Sequence, residues 1–319
     1  MSSNRIVIAG GSGFIGHALA QEFSRRGHEV VVLTRTPRPR TDAIREVAWD
    51  GRKPGAWVQF LDGAEAVINL TGKNINCPHT PKNVFKITAS RVDSVNAIAD
   101  ALQRVKVPPR VWAQASATGF YGDTGSFLRD EIFPSGDNTL AEICRQWEAA
   151  FDSATTPQTR KVVLRIGFVL GQGGGALPVL SRLTKWYLGG AAGNGRQYIS
   201  WIHLNDLIQM FVTVVNRNNL SGTFNAVAPG AVTNADFMRE LRRVLRRPWS
   251  PPAPKFAVYI GAWLFSSEPT LALVSQRCSA DKFLKVDFAF QFPQLRAALE
   301  NLCPQKPVQS KASAMTSAM

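Results

Sequence analysis

The chain has 319 residues, 45% hydrophobic and 19% charged, a balance typical of a globular protein with one large or two ordinary domains. Lysine and arginine outnumber aspartate and glutamate by 37 to 23, so anionic partners such as nucleotides, nucleic acid or a membrane surface must be considered. Four scattered cysteines and four histidines without metal-ligand spacing exclude a disulfide framework and a His-rich metal site. With no signal-peptide core and no long apolar run, we expect a cytoplasmic protein without a membrane partner.

The first seventy residues alternate short apolar runs with helical patterns. Residues 5–9, 30–33 and 66–70 are the apolar, β-branched runs of buried parallel strands. Residues 14–26 carry an apolar stripe that Gly27 closes, as at the C-terminus of a helix. This alternation predicts right-handed crossovers and an α/β fold, a Rossmann-type doubly wound parallel sheet.

The later elements suggest a second, smaller region. The pattern predicts a helix over 81–105, a strand over 110–116, a helix over 140–151 and a strand over 160–166. Two glycine-rich loops, 171–175 and 189–195, flank an amphipathic stretch, and such loops often cover a cleft. We therefore predict three parts. They are a Rossmann domain (1–228) that contributes to the substrate cleft from about residue 171, a small α+β substrate-side domain (229–303) and a disordered tail (304–319).

The sharpest functional signal directly follows the first strand. The sequence Gly10-Gly11-Ser12-Gly13-Phe14-Ile15-Gly16 fits the glycine spacing of dinucleotide-binding turns. Glycines let the backbone turn tightly and approach a pyrophosphate, and the helix N-terminus offers unpaired N–H groups to the phosphates. We predict cofactor contacts from Gly10, Gly13, Phe14, Ile15 and Gly16, in preference to an empty tight turn.

The end of the second strand bears on which dinucleotide binds. NAD-selective sites usually place Asp or Glu there to accept a hydrogen bond from the ribose 2′-hydroxyl. This chain has Thr34 and Arg35 instead, followed by Arg38 and Arg40. A guanidinium can pair with a 2′-phosphate, so we predict NADP(H), the alternative being a solvated surface arginine.

Several further motifs recur in an order that resembles a known family. They are Asn69-Leu70-Thr71-Gly72, Ser116-Ala117-Thr118-Gly119-Phe120-Tyr121-Gly122, the segment 164–171 and the segment 201–207. Together with the glycine motif, they resemble the extended short-chain dehydrogenase/reductase superfamily, and within it the branch of epimerase family proteins. The resemblance covers residues 5–302.

The resemblance implies positions around the cofactor and a class of substrate. It implies an NADP(H) site with Leu70, Thr71 and Gly72 beside the adenine ribose, and with Arg91 and Arg165 near the cofactor. For Arg91, ordinary surface charge on a helix is an equally good interpretation. The implied substrate is a small polar or sugar-related molecule.

The chain departs from its superfamily in the proton relay. Hydride transfer at an alcohol carbon normally needs a tyrosine whose pKa is lowered by a lysine four residues on. None of the four tyrosines has that lysine, and the helix aligned by Trp147 and Glu148 has Leu140 and Cys144 at the expected positions. Ser116 and Tyr121 are our candidate replacements, although they could merely shape the loop.

Other conspicuous side chains are predicted to be structural. We expect His203 to cap or pack against the helix that it begins, Asp206 to be structural, and Cys144 to be a small buried residue rather than a nucleophile. We expect four tryptophans in the second half of the chain to fill the core: Trp186, Trp201, Trp249 and Trp263.

These observations favour an NADP(H)-binding oxidoreductase or epimerase-like protein with a small-molecule substrate. The missing dyad motivates an alternative, a protein that holds NADPH for structure or regulation without turnover. Nucleic-acid binding rests on the net charge and the arginine-rich residues 239–247. Because Glu240 lies among those arginines and no aromatic platform does, we favour a solvated helix face. The oligomeric state stays open.

Overall fold

The computed structural model describes residues 4–264 and 268–304. The predicted disordered tail, apart from Pro304, lies outside the described residues. Within the described part of the chain, no helix combines the length and apolarity needed to cross a bilayer.

Strands and helices alternate through most of the chain. The strands are β1 (Arg5–Ala9), β2 (Glu29–Thr34), β3 (Ile44–Ala48), β4 (Ala66–Asn69), β5 (Val111–Ala117), β6 (Arg160–Ile166), β7 (Phe168–Leu170), β8 (Tyr198–Ile199), β9 (Trp201–His203), β10 (Gly222–Ala226) and β11 (Val232–Thr233). The helices are α1 (Phe14–Arg25), α2 (Pro81–Leu102), α3 (Thr139–Ser153), α4 (Leu177–Lys185), α5 (Leu204–Asn216), α6 (Asn234–Val244), α7 (Lys255–Leu264), α8 (Thr270–Leu273), α9 (Asp281–Leu284) and α10 (Leu295–Leu302). Two 3₁₀ turns span Ala56–Phe60 and Thr118–Tyr121.

The main sheet is the predicted doubly wound Rossmann sheet. Its seven strands run in the order β10-β6-β5-β4-β1-β2-β3, and every neighbouring pair is parallel. The order reverses beside β1, where β2 pairs on one side and β4 on the other. A crevice therefore opens at the carboxyl ends of β1 and β4, where open α/β sheets bind their ligands.

Two edge strands were not predicted from the sequence. β3 reads IREVA and β10 reads GTFNA, and neither carries the continuous apolar run of a central strand. A strand at the edge of a sheet has a neighbour on one side only, so fewer of its positions need to be apolar. These segments form strands because they pair with β2 and β6, and their local residue pattern does not predict it.

The hydrophobic residues form two main cores. The larger core packs both faces of the seven-stranded sheet and also includes Phe283 and Phe288 from the C-terminal region. A second core joins α6 and α10 to Leu170, Leu177 and Trp201. The C-terminal region is therefore attached through both cores. Two small strand pairings lie outside the main sheet, β7 with β9 and β8 with β11, and β11 is the one strand among them after residue 228.

Three of the four tryptophans expected in the core are on the surface. Trp201 is fully buried, as predicted. Trp186, Trp249 and Trp263 are instead 65%, 73% and 78% exposed. Their positions in helix ends and a proline-rich segment place them outside both cores.

His203 and Asp206 have the structural roles predicted for them. The Nδ1 atom of His203 accepts a hydrogen bond of 3.0 Å from the backbone N–H of Asn205 and thereby caps α5. Its ring stacks on Phe292 at 3.9 Å, and Asp206 accepts hydrogen bonds from the backbone N–H groups of Gln291 and Phe292. Both side chains thus attach residues 291–292 to the start of α5.

The buried cap makes folding stability depend on pH. Burial lowers the pKa of His203 to about 4, below its ordinary value of 6.5, so the unfolded chain binds this proton more readily. The stabilising contribution is complete above about pH 6.5 and is lost as the pH falls from there towards 4. We expect a loss of roughly 2 kcal/mol by pH 4.5 from this residue.

Urea unfolding of the wild type and of His203→Asn at pH 7.5, 5.5 and 4.5 measures this contribution. An asparagine oxygen can still cap the helix but does not titrate in this range. The wild type should lose more stability than the variant between pH 7.5 and 4.5. Parallel pH profiles for the two proteins would show that His203 does not titrate as proposed.

Candidate functional site

The turn after β1 holds the backbone against the β4 loop. Gly10 has φ +76°, its N–H donates to the carbonyl of Leu33 at 3.1 Å, and its carbonyl accepts from the N–H of Gly13 at 3.2 Å. A Cβ atom on Gly10 would lie 3.1 Å from the backbone nitrogen of Thr71. Glycine is required here by both the left-handed conformation and the close approach.

Two other glycines of the motif have different environments. A Cβ atom on Gly16 would lie 2.5 Å from the Cα atom of Gly11, so this glycine lets α1 pack tightly against the turn. A Cβ atom on Gly13 would meet only the carbonyl oxygen of Gly10, at an ordinary 3.5 Å. The chain itself does not require glycine at position 13. The absence of a side chain at Gly13 leaves room for a bound group to approach the backbone.

The start of α1 leaves its amide groups free for an anion. Gly13 is the N-cap and supplies no side-chain hydrogen bond, and the first turn of α1 contains no acidic residue. The first N–H groups of a helix have no partners within the helix and lie at the positive end of its dipole. This end of α1 therefore suits a phosphate.

The first glycine-rich loop packs on Phe14, the first residue of α1. Cβ atoms on Gly171 and Gly174 would lie 2.6 and 2.4 Å from atoms of the Phe14 ring. Only glycine lets this loop come so close to the ring. The loop 171–175, which we predicted to cover a cleft, thus packs on the N-terminal turn of α1. The next residue, Ile15, packs against the main core.

The end of β2 carries an arginine without a partner. The hydroxyl of Thr34 donates to that of Ser12 at 3.2 Å, which links β2 to the glycine turn. Arg35 is exposed and has no ion pair or side-chain hydrogen bond within the described part of the chain. Arg40, by contrast, pairs with Asp42 and Glu46. Of these two arginines, Arg35 is the one free to bind an added anion.

The loop after β4 contains a buried hydroxyl without a partner. The amide oxygen of Asn69 accepts from the N–H of Thr71 at 3.0 Å, and its amide nitrogen donates to Ser94 and Gln114. This arrangement fixes the turn through Leu70 and Thr71 against the glycine motif. The Oγ1 atom of Thr71 is buried and has no hydrogen-bond partner among the described residues. A ligand in the crevice could satisfy it.

Arg91 reaches from α2 to the same loop. Its guanidinium lies against Gly72, where an added Cβ atom would be 3.0 Å from the Arg91 Cζ atom. It donates to the carbonyls of Lys73 and Ile87, both at 3.0 Å, and stacks over Trp147. No carboxylate pairs with it within the described ranges, and burial lowers the pKa of its guanidinium. Arg91 therefore brings an uncompensated positive charge to the crevice.

Arg165 lies in a buried network instead. Its Nε and Nη2 atoms donate to the two carboxylate oxygens of Glu148 at 3.0 and 2.8 Å, and Nη1 donates to the hydroxyl of Tyr121 at 2.9 Å. That hydroxyl donates to Asn225 at 2.8 Å, and the hydroxyl of Ser116 donates to Glu148 at 2.5 Å. Side chains from β5, the Thr118–Tyr121 turn, α3, β6 and β10 are thereby joined.

This network argues against the predicted acid/base roles of Ser116 and Tyr121. Both side chains are buried, and both hydroxyls already have partners within the protein. Burial raises the pKa of Tyr121 above its ordinary value, the reverse of what a proton donor for this chemistry needs. Arg165 likewise has its guanidinium occupied. The three residues support the floor of the crevice.

The positions expected for the Tyr/Lys dyad lie beside the same turn. A Cβ atom on Gly119 would lie 3.5 Å from Leu140 Cβ and 3.8 Å from Cys144 Sγ. Burial raises the pKa of Cys144 to about 12, so the thiol stays protonated near neutral pH. Neither residue can replace an acidified tyrosine or a lysine.

Sequence reasoning missed three polar residues of the site. Glu148 and Asn225 complete the buried network, and Gln276 accepts a hydrogen bond of 2.7 Å from the hydroxyl of Thr118. Glu148 gave one usable signal, a carboxylate on the otherwise apolar face of α3. Asn225 and Gln276 lie in an edge strand and an irregular segment, where the sequence pattern is silent.

The parallel sheet and its glycine-lined crevice define a Rossmann-type dinucleotide-binding fold. The family model described as the NAD dependent epimerase/dehydratase family matches residues 6–227, and that described as a domain of unknown function (DUF1731) matches residues 253–302. The chain belongs to the NAD dependent epimerase/dehydratase family.

Curated relatives of this chain are named as epimerase family proteins. The human epimerase family protein SDR39U1 is 32% identical over 305 residues, which cover 93% of this chain and 99% of the relative. A chloroplastic homologue from Arabidopsis thaliana is 30% identical and covers 93% of this chain and 86% of its own.

Solved structures agree with this assignment. The human SDR39U1 structure, determined with NADPH, has a TM-score of 0.83 and 30% identity, and covers 94% of this chain and 99% of its own. A structure from Corynebacterium glutamicum described as a nucleoside-diphosphate sugar epimerase has a TM-score of 0.76 and 31% identity. It covers 95% of this chain and 58% of its own.

The contrast between Gly16 and Gly13 gives a stability prediction. Gly16→Ala should lower the free energy of unfolding by about 1–3 kcal/mol, because its Cβ atom would overlap backbone. Gly13→Ala, the matched control in the same turn, should change it by less than about 1 kcal/mol. Urea unfolding measures both. Equal losses would show that α1 is not packed on the turn as described.

The buried hydroxyl of Tyr121 gives a second prediction. Tyr121→Phe removes one hydrogen bond from Arg165 and one from Asn225 in a buried network, so we expect the free energy of unfolding to fall by about 1–3 kcal/mol. The affinity for NADPH should stay within about twofold. Unfolding curves and calorimetric titration check these two effects separately. Unchanged stability would mean that the hydroxyl is not bonded in the network.

Proposed function

We propose that this protein binds NADPH in the crevice between β1 and β4. The observation that carries the proposal is the unpaired Arg35 at the end of β2, at the position where NAD-selective sites use a carboxylate. The open backbone at Gly13 and the unpartnered Thr71 hydroxyl support it. The NADPH-containing structure of the human relative is consistent with the same choice.

Each part of the crevice would hold a different part of the cofactor. The start of α1, from Gly13, suits the pyrophosphate. Arg35 suits the 2′-phosphate, because a guanidinium forms charge-assisted, bidentate hydrogen bonds to phosphate oxygens. Thr71 has a free hydroxyl for the adenine ribose, and Arg91 adds positive charge beside it.

The proposed activity is that of an oxidoreductase or epimerase on a small polar or sugar-related substrate. NADPH, when bound, supplies a hydride. The glycine loop 171–175 on Phe14 and the loop 73–80 would limit the access of water. The second loop is tied to the C-terminal region, because the N–H of His79 donates to Glu268 at 3.0 Å. The sugar-nucleotide name of the Corynebacterium relative supports this substrate class.

The proton step must differ from that of ordinary superfamily members. The sequence contains no Tyr-x-x-x-Lys, and the hydroxyls of Ser116 and Tyr121 are bonded inside the protein. A positioned general acid typically contributes a factor of about 10²–10⁴ in rate. We therefore expect weak turnover of common sugar nucleotides, with the proton supplied by water or by the substrate.

The satisfied hydroxyls also favour a second candidate function. A protein that holds NADPH as a structural or regulatory ligand needs the binding residues of the crevice but no free acid or base. The two functions make the same prediction for cofactor affinity and different predictions for turnover of a substrate.

The oxidation of NADPH by the purified full chain distinguishes these functions. NADPH absorbance would be followed with UDP-sugars and with small ketones and aldehydes, beside Gly13→Asp, whose carboxylate should oppose pyrophosphate binding. Substrate-dependent oxidation that disappears in the variant would support the enzyme. Tight binding with neither oxidation of NADPH by any of these compounds nor conversion of a UDP-sugar to its epimer in the presence of NADP⁺ would support the second candidate.

Cofactor preference is the firmest quantitative prediction. A guanidinium–phosphate pair should favour NADPH over NADH by about tenfold to a hundredfold. Arg35→Asp should reverse the preference, because a carboxylate accepts from a 2′-hydroxyl and repels a phosphate. The preference should also weaken with added salt, since Arg35 is exposed.

Fluorescence titration of both reduced cofactors into the wild type and Arg35→Asp measures this preference. Arg104→Asp is the matched control, because it makes the same charge change at an exposed position just after α2. Equal affinities in the wild type, or equal effects of the two substitutions, would remove Arg35 from the cofactor site.

A further inference from the structure

Helix α7 has its apolar side facing outwards. The helix reads KFAVYIGAWL and contains no charged residue after Lys255. Phe256, Tyr259, Ile260 and Trp263 are each more than half exposed, and their spacing places them on one side of the helix. A surface helix normally packs such an apolar stripe against the core. An exposed stripe of this kind indicates an interaction site.

Further aromatic residues lie beside the start of this helix. Trp186, Tyr187 and Leu188 follow α4 and are 65%, 56% and 63% exposed, and Trp249 lies just before α7. The segments are in contact, because the N–H of Gly193 donates to Ala253 at 2.8 Å. We call residues 186–188, Trp249 and the outer stripe of α7 the aromatic face.

The tip at residues 186–188 is held in place. Tyr187 has φ +65°, which is unusual for a residue with a side chain. The Nη1 atom of Arg247 donates to its hydroxyl at 3.2 Å, and the same guanidinium lies over its ring. The structure thus maintains Trp186 and Leu188 at the surface.

The two segments that contain the aromatic face carry only basic charges. The segments 177–196 and 244–264 contain no aspartate or glutamate. They contain six basic residues, Arg182, Lys185, Arg196, Arg246, Arg247 and Lys255. The nearby acidic residues of α6 are already paired, Asp236 with Arg239 and Glu240 with Arg243. The covering surface must therefore be anionic at its rim and apolar within.

We propose that the aromatic face binds an anionic lipid bilayer at its surface. Tryptophan and tyrosine favour the boundary between headgroups and acyl chains, while lysine and arginine pair with acidic headgroups. A second copy of the chain fits less well, because a symmetric contact would place two surfaces that carry only basic charges against each other. In this arrangement the aromatic face lies at the surface of the membrane. This proposal differs from the sequence-based expectation of no membrane partner.

Sedimentation of the full chain with vesicles tests the proposal. The probes are vesicles of phosphatidylcholine alone and vesicles with added phosphatidylglycerol. The chain should sediment with the anionic vesicles and much less with the neutral ones, and high salt should release it. Binding equally to both compositions, or to neither, would overturn the proposal.

Variants separate the contributions of the aromatic and basic residues. Phe256→Ser with Trp263→Ser should weaken vesicle binding by at least about tenfold. Lys185→Gln with Lys255→Gln should weaken it by about thirtyfold. The control, Phe127→Ser with Ile132→Ser, removes exposed apolar side chains outside the aromatic face and should change nothing. NADPH affinity should be unchanged in all three, which shows that they are folded.

Light scattering decides between the membrane and a second copy. The wild type without vesicles should not self-associate through the aromatic face. A concentration-dependent dimer that Phe256→Ser with Trp263→Ser dissociates, in a protein that ignores anionic vesicles, would assign the face to self-association instead.

Discussion

Arg165 sets the architecture of the site, because a buried guanidinium needs a counter-charge and hydrogen-bond acceptors. Glu148 supplies the charge through two parallel hydrogen bonds, and Tyr121 accepts a third. Removing one partner of such a pair leaves an unpaired buried charge, typically at a cost of about 3–5 kcal/mol. The pair therefore holds β6 against α3 and the turn after β5. The crevice floor depends on that joint.

The same joint limits the chemistry available above it. The tyrosine and serine nearest to the expected reaction centre have their hydroxyls hydrogen-bonded within the network. Their role is therefore structural. The polar groups that remain free, on Arg35 and Thr71, lie along the expected cofactor path. The residues proposed to bind the cofactor are thus separate from this buried network, which offers no free acid or base.

Ion pairing also decides where positive charge remains on the surface. Many of the acidic side chains form ion pairs with nearby arginines, as on α6 and around Arg40. Among the described basic residues without a carboxylate partner are Arg35 and several residues around the aromatic face. The net charge of +14 thus includes unpaired basic residues at the two surfaces for which we propose a dinucleotide and a lipid bilayer.

The sequence alone determined the features that arise from short-range pattern. Apolar runs and glycine positions predicted the central strands, α1 and the crevice turn, because a buried parallel strand and a tight turn each impose local residue requirements. The Thr34–Arg35 pair predicts a contact to the cofactor from the same kind of local pattern. Only the tertiary structure decided the edge strands β3 and β10, the pairing of Arg165 with Glu148 and the exposure of Trp186, Trp249 and Trp263. Those outcomes depend on which distant segments meet, and residue pattern within one segment does not contain that information.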